Sequence, residues 1–284
     1  MAGRINNKKS IWGFGLWGWD HCRKWRNNQY GDVFSKTEFA IERGFDVIPV
    51  SFSDLDALAP GELEDLYRLQ QDGGVTYHPH AWAKWSGDVD SVKKDAEVWQ
   101  KNIARHARFY GFKLATSGLG GSRFSREMSV PEKIEHYSKL IAPMAKACHE
   151  SGYGFAVENH VDYYVSDLVE MCRRTPHMGL FLDTGNSVNI GEKPVEAARD
   201  AAPYTLGLHF KDFIIKPNPG ELKLECHGVA LGSGDVGLRE IYNIIMAGAP
   251  DPKNVLWEWE LVCPRGEGAA MAALEQSIEF VNTL

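Results

Sequence analysis

The chain has 284 residues, 44% of them hydrophobic and 24% charged, proportions that exclude a disordered or fibrous protein. Lys and Arg number 31 against 38 Asp and Glu, for a net charge of −7. No basic surplus exists to neutralise a phosphate backbone, so no nucleic-acid partner is expected.

Strand and helix patterns alternate from end to end. IWGFGLW (11–17) reads as the first strand, and the amphipathic stretch 33–43 after it stops at Gly44. DVIPVSF (46–52) and VTYHPHA (75–81) are the second and third strands, with a long helical pattern over 88–110 ahead of Gly111. KLATSG (113–118) is the fourth; the helix over 131–150 opens with Pro131 after Ser129 and closes before Gly152. GFAVENH (154–160), GLFLDTGN (179–186) and TLGLHFKD (205–212) follow, and residues 213–235 read as an irregular loop over one face. A helix near 236–247, an eighth strand NVLWEWE (254–260) and a helix near 267–282 complete the chain. Strict alternation implies a parallel sheet, and eight units of this length imply closure: an α/β fold, a (β/α)8 TIM barrel forming one domain over 1–284. A doubly wound sheet would carry a glycine-rich phosphate turn after its first strand, and GFGLWG is not a GxGxxG leading into a helix.

The five cysteines, Cys22, Cys148, Cys172, Cys226 and Cys263, contain no CxxC pair, which argues against a disulfide framework or a thiolate zinc site. No apolar run reaches the roughly 18 residues of a membrane span. The opening MAGRINNKKS leads into a Gly- and Trp-rich segment, not an apolar signal core. A cytoplasmic protein with no membrane contact is the expectation; a homo-oligomer is compatible with it.

Such barrels place their active sites at the C-terminal ends of the strands. The fifth strand ends in Glu158, Asn159 and His160, the sixth in Asp183 and Asn186, the seventh in His209, Lys211 and Asp212, the eighth in Glu258 and Glu260. Taken singly, Asp183 ahead of Thr184 and Gly185 reads equally well as a capping residue, and His209 as a packed core histidine. Four consecutive strands delivering such groups to one rim is the stronger signal. Several acids buried together need a cation, and a Glu, Asp, His, Glu set suits Mn²⁺, Mg²⁺ or Co²⁺.

The phrases AVENH, LDTGN, LHFKD and LWEWE, with the later GSGDVGL, resemble the xylose isomerase-like TIM barrels, among them sugar-phosphate isomerases/epimerases and ketose 3-epimerases. The resemblance is strongest over 154–260. It implies one divalent metal ion, with ligands falling on Glu158, Asp183, His209 and Glu258. Glu258 and Glu260 share a strand face, so side-chain alternation cannot choose between them; the resemblance favours Glu258. It also implies proton abstraction beside a carbonyl through an enediolate that the metal stabilises, with Glu158 and Glu258 as base and acid on opposite faces. Two departures stand out. Many ketose epimerases carry a His where this chain has Asn186, and an Arg in the loop after the seventh strand, whereas no Arg occurs over 200–238.

The expectation is therefore an isomerase or epimerase of a keto-sugar or sugar derivative. The alternative is a lyase or dehydratase acting on a keto-glycoside or inosose. A nuclease of the same barrel class is disfavoured by the charge, and a non-catalytic sugar-binding subunit by the opposed glutamates. Substrate contacts are expected from His160, Asn186, His227, His80, Trp17, Trp82 and Glu260, and from Lys211 unless it pairs with Asp212. His78 shares a face with His80 and is a further candidate for the pocket wall.

Overall fold

A computed structural model describes residues 3–15, 32–262 and 267–284. Strands β1 (Ile11–Gly15), β2 (Val47–Pro49), β3 (Thr76–His78), β4 (Leu114–Ser117), β5 (Gly154–Glu158), β6 (Met178–Asp183), β7 (Thr205–Phe210) and β10 (Leu256–Glu260) form one sheet in the order β3-β2-β1-β10-β7-β6-β5-β4. All its pairings are parallel. The open edge is bridged by a parallel contact between His80 and Thr116, with Ala81 N–H donating to the Thr116 carbonyl at 2.8 Å. The expected eight-stranded barrel is therefore nearly closed.

Helices lie between the strands: α1 (Val33–Arg43), α2 (Phe52–Asp56), α3 (Pro60–Gly73), α4 (Val89–His106), α5 (Val130–Glu150), α6 (Val165–Arg174), α7 (Asn186–Asn189), α8 (Pro194–Ala201), α9 (Leu238–Gly248) and α10 (Glu267–Val281). Their boundaries follow local chemistry. Asp32 caps α1 by accepting from Ser35 N–H at 3.0 Å, and Gly44 ends it in the left-handed region at φ 80°. Asp88 caps α4 in the same way through Ser91 N–H at 2.8 Å.

The stretch 213–235 is not the irregular loop expected. Its first part pairs as an antiparallel hairpin of β8 (Asp212–Asn218) and β9 (Lys223–Val229), in register from Asp212 opposite Val229 to Asn218 opposite Lys223. Pro217 and the Pro-Gly turn mask this alternation in the sequence, and a two-stranded ribbon tolerates Pro because it has two edges.

The strand period of two sorts the side chains. Along β10, Trp257 and Trp259 pack outward with Trp12, Phe210 and Tyr242 between sheet and helices. Glu258 and Glu260, one residue out of phase, belong to the opposite, inner face. A small separate core of Val47, Leu114, Ala156, Phe181 and Leu256 is formed by strand side chains. Among the described residues, no helix is long and apolar enough to cross a membrane.

Candidate functional site

The polar groups gather at the C-terminal ends of β5, β6, β7 and β10. Glu158, Asp183, His209 and Glu260 bring one ligand atom each to within 4.8 Å of one another. His209 is the hub. Its Nδ1 lies 3.0 Å from Glu158 Oε1, 3.4 Å from Glu260 Oε2 and 3.7 Å from Asp183 Oδ2, while its Nε2 lies 3.2 Å from Glu258 Oε1. Lys211 Nζ contacts Asp183 Oδ2 at 2.7 Å and Glu260 Oε2 at 2.9 Å. The β10 acid in the cluster is thus Glu260, where the sequence reading favoured Glu258. Both oxygens of Glu258 are already engaged, Oε1 by His209 and Oε2 by His78 Nε2 at 2.7 Å.

Backbone donors hold the cluster in place. Asp183 Oδ1 accepts from the N–H groups of Gly185 and Asn186, both at 2.8 Å. Asn159 ties β5 to the end of β6: its Oδ1 accepts from Asp183 N–H at 2.6 Å and its Nδ2 donates to the Asp183 carbonyl at 3.0 Å. Asn186 Nδ2 donates to the Asn159 carbonyl and, at 3.4 Å, to Glu158 Oε1.

The electrostatics follow from burial in mixed company. Burial alone would push His209 down, but Glu158, Asp183 and Glu258 outweigh it and hold the imidazole well above its ordinary range. Burial likewise opposes ionisation of Asp183 and Glu258, yet Lys211 and His209 beside the first, and His78 and His209 beside the second, hold both well below the usual carboxylate range. Glu260 goes the other way: burial raises it despite His209 and Lys211. Lys211 is raised because Asp183 and Glu260 more than offset its own burial.

The residues present fit a divalent cation. Asp183 Oδ2 is a buried carboxylate oxygen without a hydrogen bond; it has the ionic approaches of Lys211 Nζ at 2.7 Å and His209 Nδ1 at 3.7 Å. It points at three further donors, and three carboxylate oxygens with one imidazole nitrogen are the ligand chemistry of Mn²⁺, Mg²⁺ or Co²⁺.

Above the cluster opens a cleft of about 460 Å³. His80, Trp82, His160, Asn186, Lys211 and Glu260, all expected substrate contacts, line it. Trp82 is 61% exposed, its ring tilted toward His80 at a centroid distance of 6.0 Å. Burial, reinforced by the neighbouring His78, pushes His80 down to about 4, and its Nδ1 is 2.9 Å from Thr116 Oγ1.

Other expectations meet a different arrangement. His227 sits on β9, half exposed, 3.6 Å from Glu225 and away from the cleft lining, because the hairpin carries it outward. Lys211 does not pair with Asp212, whose carboxylate instead accepts backbone N–H groups of Phe213, Gly232, Gly234 and Val236. His78 is fully buried beneath the cleft rather than part of its wall. Trp17 lies outside the described residues. Sequence reasoning missed Lys36, Asp54 and Ser117 in the cleft wall, and the bracing by Asn159. For Asn159 the available signal was its place directly after a strand-end Glu.

An acid-and-imidazole cluster at the C-terminal rim of an eight-stranded α/β barrel defines a class, and comparison agrees with it. Residues 37–284 match the family described as "Xylose isomerase-like TIM barrel", and the chain belongs to that family. A curated relative, the uncharacterized protein YihM of Escherichia coli K12, is 28% identical over 172 residues, 59% of this chain. The matched part spans about half (48%) of that relative's length. Among solved structures, a xylose isomerase-like TIM barrel protein from Mycobacterium smegmatis in complex with magnesium superposes with a TM-score of 0.69 at 17% identity, covering 96% of this chain and 95% of that one. The D-psicose 3-epimerase of Clostridium cellulolyticum H10, solved with D-tagatose, gives 0.65 at 16% identity, covering 95% and 96%. At such identities these structures establish the shared fold.

Proposed function

We propose that this chain is a divalent-metal-dependent isomerase or epimerase of a keto-sugar or sugar derivative, working by proton transfer beside a carbonyl. The observation that carries the reading is the convergence of Glu158 and Glu260 on one cleft from β5 and β10, strands separated in the barrel by β6 and β7. Carboxylates approaching from separated strands can reach two faces of a substrate carbon, one to take a proton and one to return it. Glu260 is preferred here to Glu258 because both Glu258 oxygens are held by histidines. Glu158 and Glu260 are also the less buried, with side chains 17% and 10% exposed against 3%.

Asp183, Glu158, His209 and Glu260 would hold the metal, which when bound supplies Lewis-acid stabilisation of charge developing on the carbonyl oxygen. His80 and Asn186 offer hydrogen bonds to hydroxyl groups, and Trp82 an apolar platform for sugar C–H faces. A protein of the same fold solved with D-tagatose supports a sugar-sized occupant.

A second reading, a lyase or dehydratase, is favoured by two features: Asn186 stands where many ketose epimerases have His, and no Arg follows β7 before residue 239. The same proton abstraction then ends in loss of a β-substituent.

A panel of ketohexoses, keto-glycosides and inososes incubated with the Mn²⁺-loaded enzyme in D₂O tests both. Deuterium should enter at the carbon beside the carbonyl. Unchanged mass apart from deuterium means isomerase or epimerase, and loss of water or an aglycone means lyase. Glu158→Gln, which keeps size but cannot accept the proton, should lower kcat on the order of 10²–10⁴-fold while substrate still binds. Turnover with neither solvent exchange nor a primary isotope effect at that C–H bond overturns the proposal.

A further inference from the structure

The two glutamates of β10 meet opposite edges of the same imidazole. Glu260 Oε2 lies 3.4 Å from His209 Nδ1, on the side of the cluster, and Glu258 Oε1 lies 3.2 Å from Nε2, on the far side. Glu258 is itself fixed. Its Oε2 is 2.7 Å from Nε2 of His78, a residue with no exposed surface, and its side chain is 3% exposed. His78 Nδ1 is buried without a partner. The tautomer with the proton on Nε2 leaves only a lone pair unsatisfied there, whereas a proton on Nδ1 would be a buried donor with nowhere to go. His78 therefore donates, and Glu258 accepts from histidines at both oxygens.

Space for this carboxylate is built into the neighbouring strand. Gly15 pairs in register beside β10, and a Cβ at that position would lie 2.8 Å from Glu258 Oε1 and 3.2 Å from its Cγ. A glycine with an ordinary strand conformation at that place is accounted for by the acid next to it.

We infer that Glu258, anchored by His78, is a positioning residue that holds the His209 ring with Nε2–H directed away from the cluster, so that Nδ1 is the nitrogen left to serve a metal. The inference rests on the metal reading above. A histidine can offer a metal only one edge of its ring, and a carboxylate accepting from the other nitrogen sets both the tautomer and the ring plane; loss of such a partner typically costs 10- to 100-fold in metal affinity. On this assignment Glu258 is no metal ligand. It acts through His209 and never touches the ion.

The test is Mn²⁺ affinity by calorimetry, and long-range ¹H–¹⁵N NMR of the Zn²⁺-loaded protein labelled at its histidine ring nitrogens. The native protein should bind one equivalent and show His209 protonated at Nε2. Glu258→Leu should weaken Mn²⁺ binding 10- to 100-fold, in line with a lost outer partner, and should lose the fixed Nε2–H signal. Glu258→Gln retains an acceptor oxygen, so it should recover most of the affinity and the Nε2–H signal. A native protein that binds no divalent ion overturns the metal reading and this inference together. A native protein that binds one, with unchanged affinity in Glu258→Leu, overturns the inference alone. Complete loss of binding in both variants would make Glu258 a direct ligand and also refute it.

Discussion

Replacing Lys211 by Met keeps the aliphatic stem and removes the ammonium that contacts Asp183 at 2.7 Å and Glu260 at 2.9 Å. All three residues are buried, at 5%, 0% and 7% exposure, so water cannot take over the lost charge. Removing one partner of such a buried pair costs about 3–5 kcal/mol, because the surviving carboxylates are left uncompensated. With a shift of about 2–4 °C per kcal/mol for a chain somewhat smaller than this one, the chelated Lys211→Met protein should melt roughly 10 °C below the native. A divalent ion held by this cluster would offer charge to the same two carboxylates that the ammonium contacts. Saturating Mn²⁺ should therefore narrow the gap, since the variant, with no ammonium competing for the carboxylates, gains more from the ion than the native protein does. Differential scanning fluorimetry in EDTA and in Mn²⁺, on both proteins, measures the four melting temperatures. An equal gap with and without metal, or no gap in EDTA, refutes the reasoning: the first says the ion does not use these oxygens, the second that the ion pair is not what satisfies them.

Asp162 is 4% exposed and burial raises its carboxyl to about 6, even though it accepts N–H bonds from Tyr163 at 2.8 Å and Gly120 at 3.1 Å. Its protonated form stabilises the fold fully below the unfolded value near 4, and that contribution is lost as pH rises through about 6. Asp162→Asn should remove this dependence, so the native-minus-variant difference in urea melts changes by up to about 3 kcal/mol between pH 4 and pH 7.5; parallel profiles would refute it. Trp82→Ala removes an exposed ring from the cleft wall and should raise the sugar KM about 3- to 10-fold at nearly constant kcat, in keeping with a stacking contact of about 1 kcal/mol; an unchanged KM would remove Trp82 from the binding surface.

The barrel was legible because its signal is repetitive. Each strand is a short apolar run, each helix has a local start and stop such as Asp32 with Gly44, and one ambiguous element does not change the alternation. The positions of Glu158, Asp183 and His209 were legible for the same reason, since a strand end is a place in the fold. What lay beyond reach was the partner of each group. Glu258 and Glu260 have the same parity, and which of them joins the cluster depends on His78, 180 residues away in sequence, and on the missing side chain of Gly15. Lys211 sits beside Asp212 in the chain but pairs with Asp183 and Glu260 instead, because the Asp212 carboxylate is consumed by backbone N–H groups of the segment 232–236. The hairpin β8–β9 was hidden by Pro217 and by polar residues on both faces, as suits a ribbon whose residues are mostly partly or fully exposed.

The charges at the rim supply an argument for the cation that is independent of ligand geometry. Four carboxylates, Glu158, Asp183, Glu258 and Glu260, face one ammonium, Lys211, and one imidazole, His209, that their own field keeps protonated. Each carboxylate has Lys211 or His209 beside it, but four acids share two cations, an excess of two negative charges when all four are ionised. A low-dielectric pocket does not hold such an excess freely; part of it is shed by protonation, and Glu260, whose carboxyl burial raises while Asp183 and Glu258 are lowered, is where that pressure is felt. A divalent ion held by the cluster would remove the excess without a proton. The epimerase reading proposed above asks Glu260 to give and take a proton at the substrate rather than to relieve its neighbours. On the proposed reading, an ion held here would serve twice, supplying Lewis-acid stabilisation and leaving Glu260 able to exchange a proton.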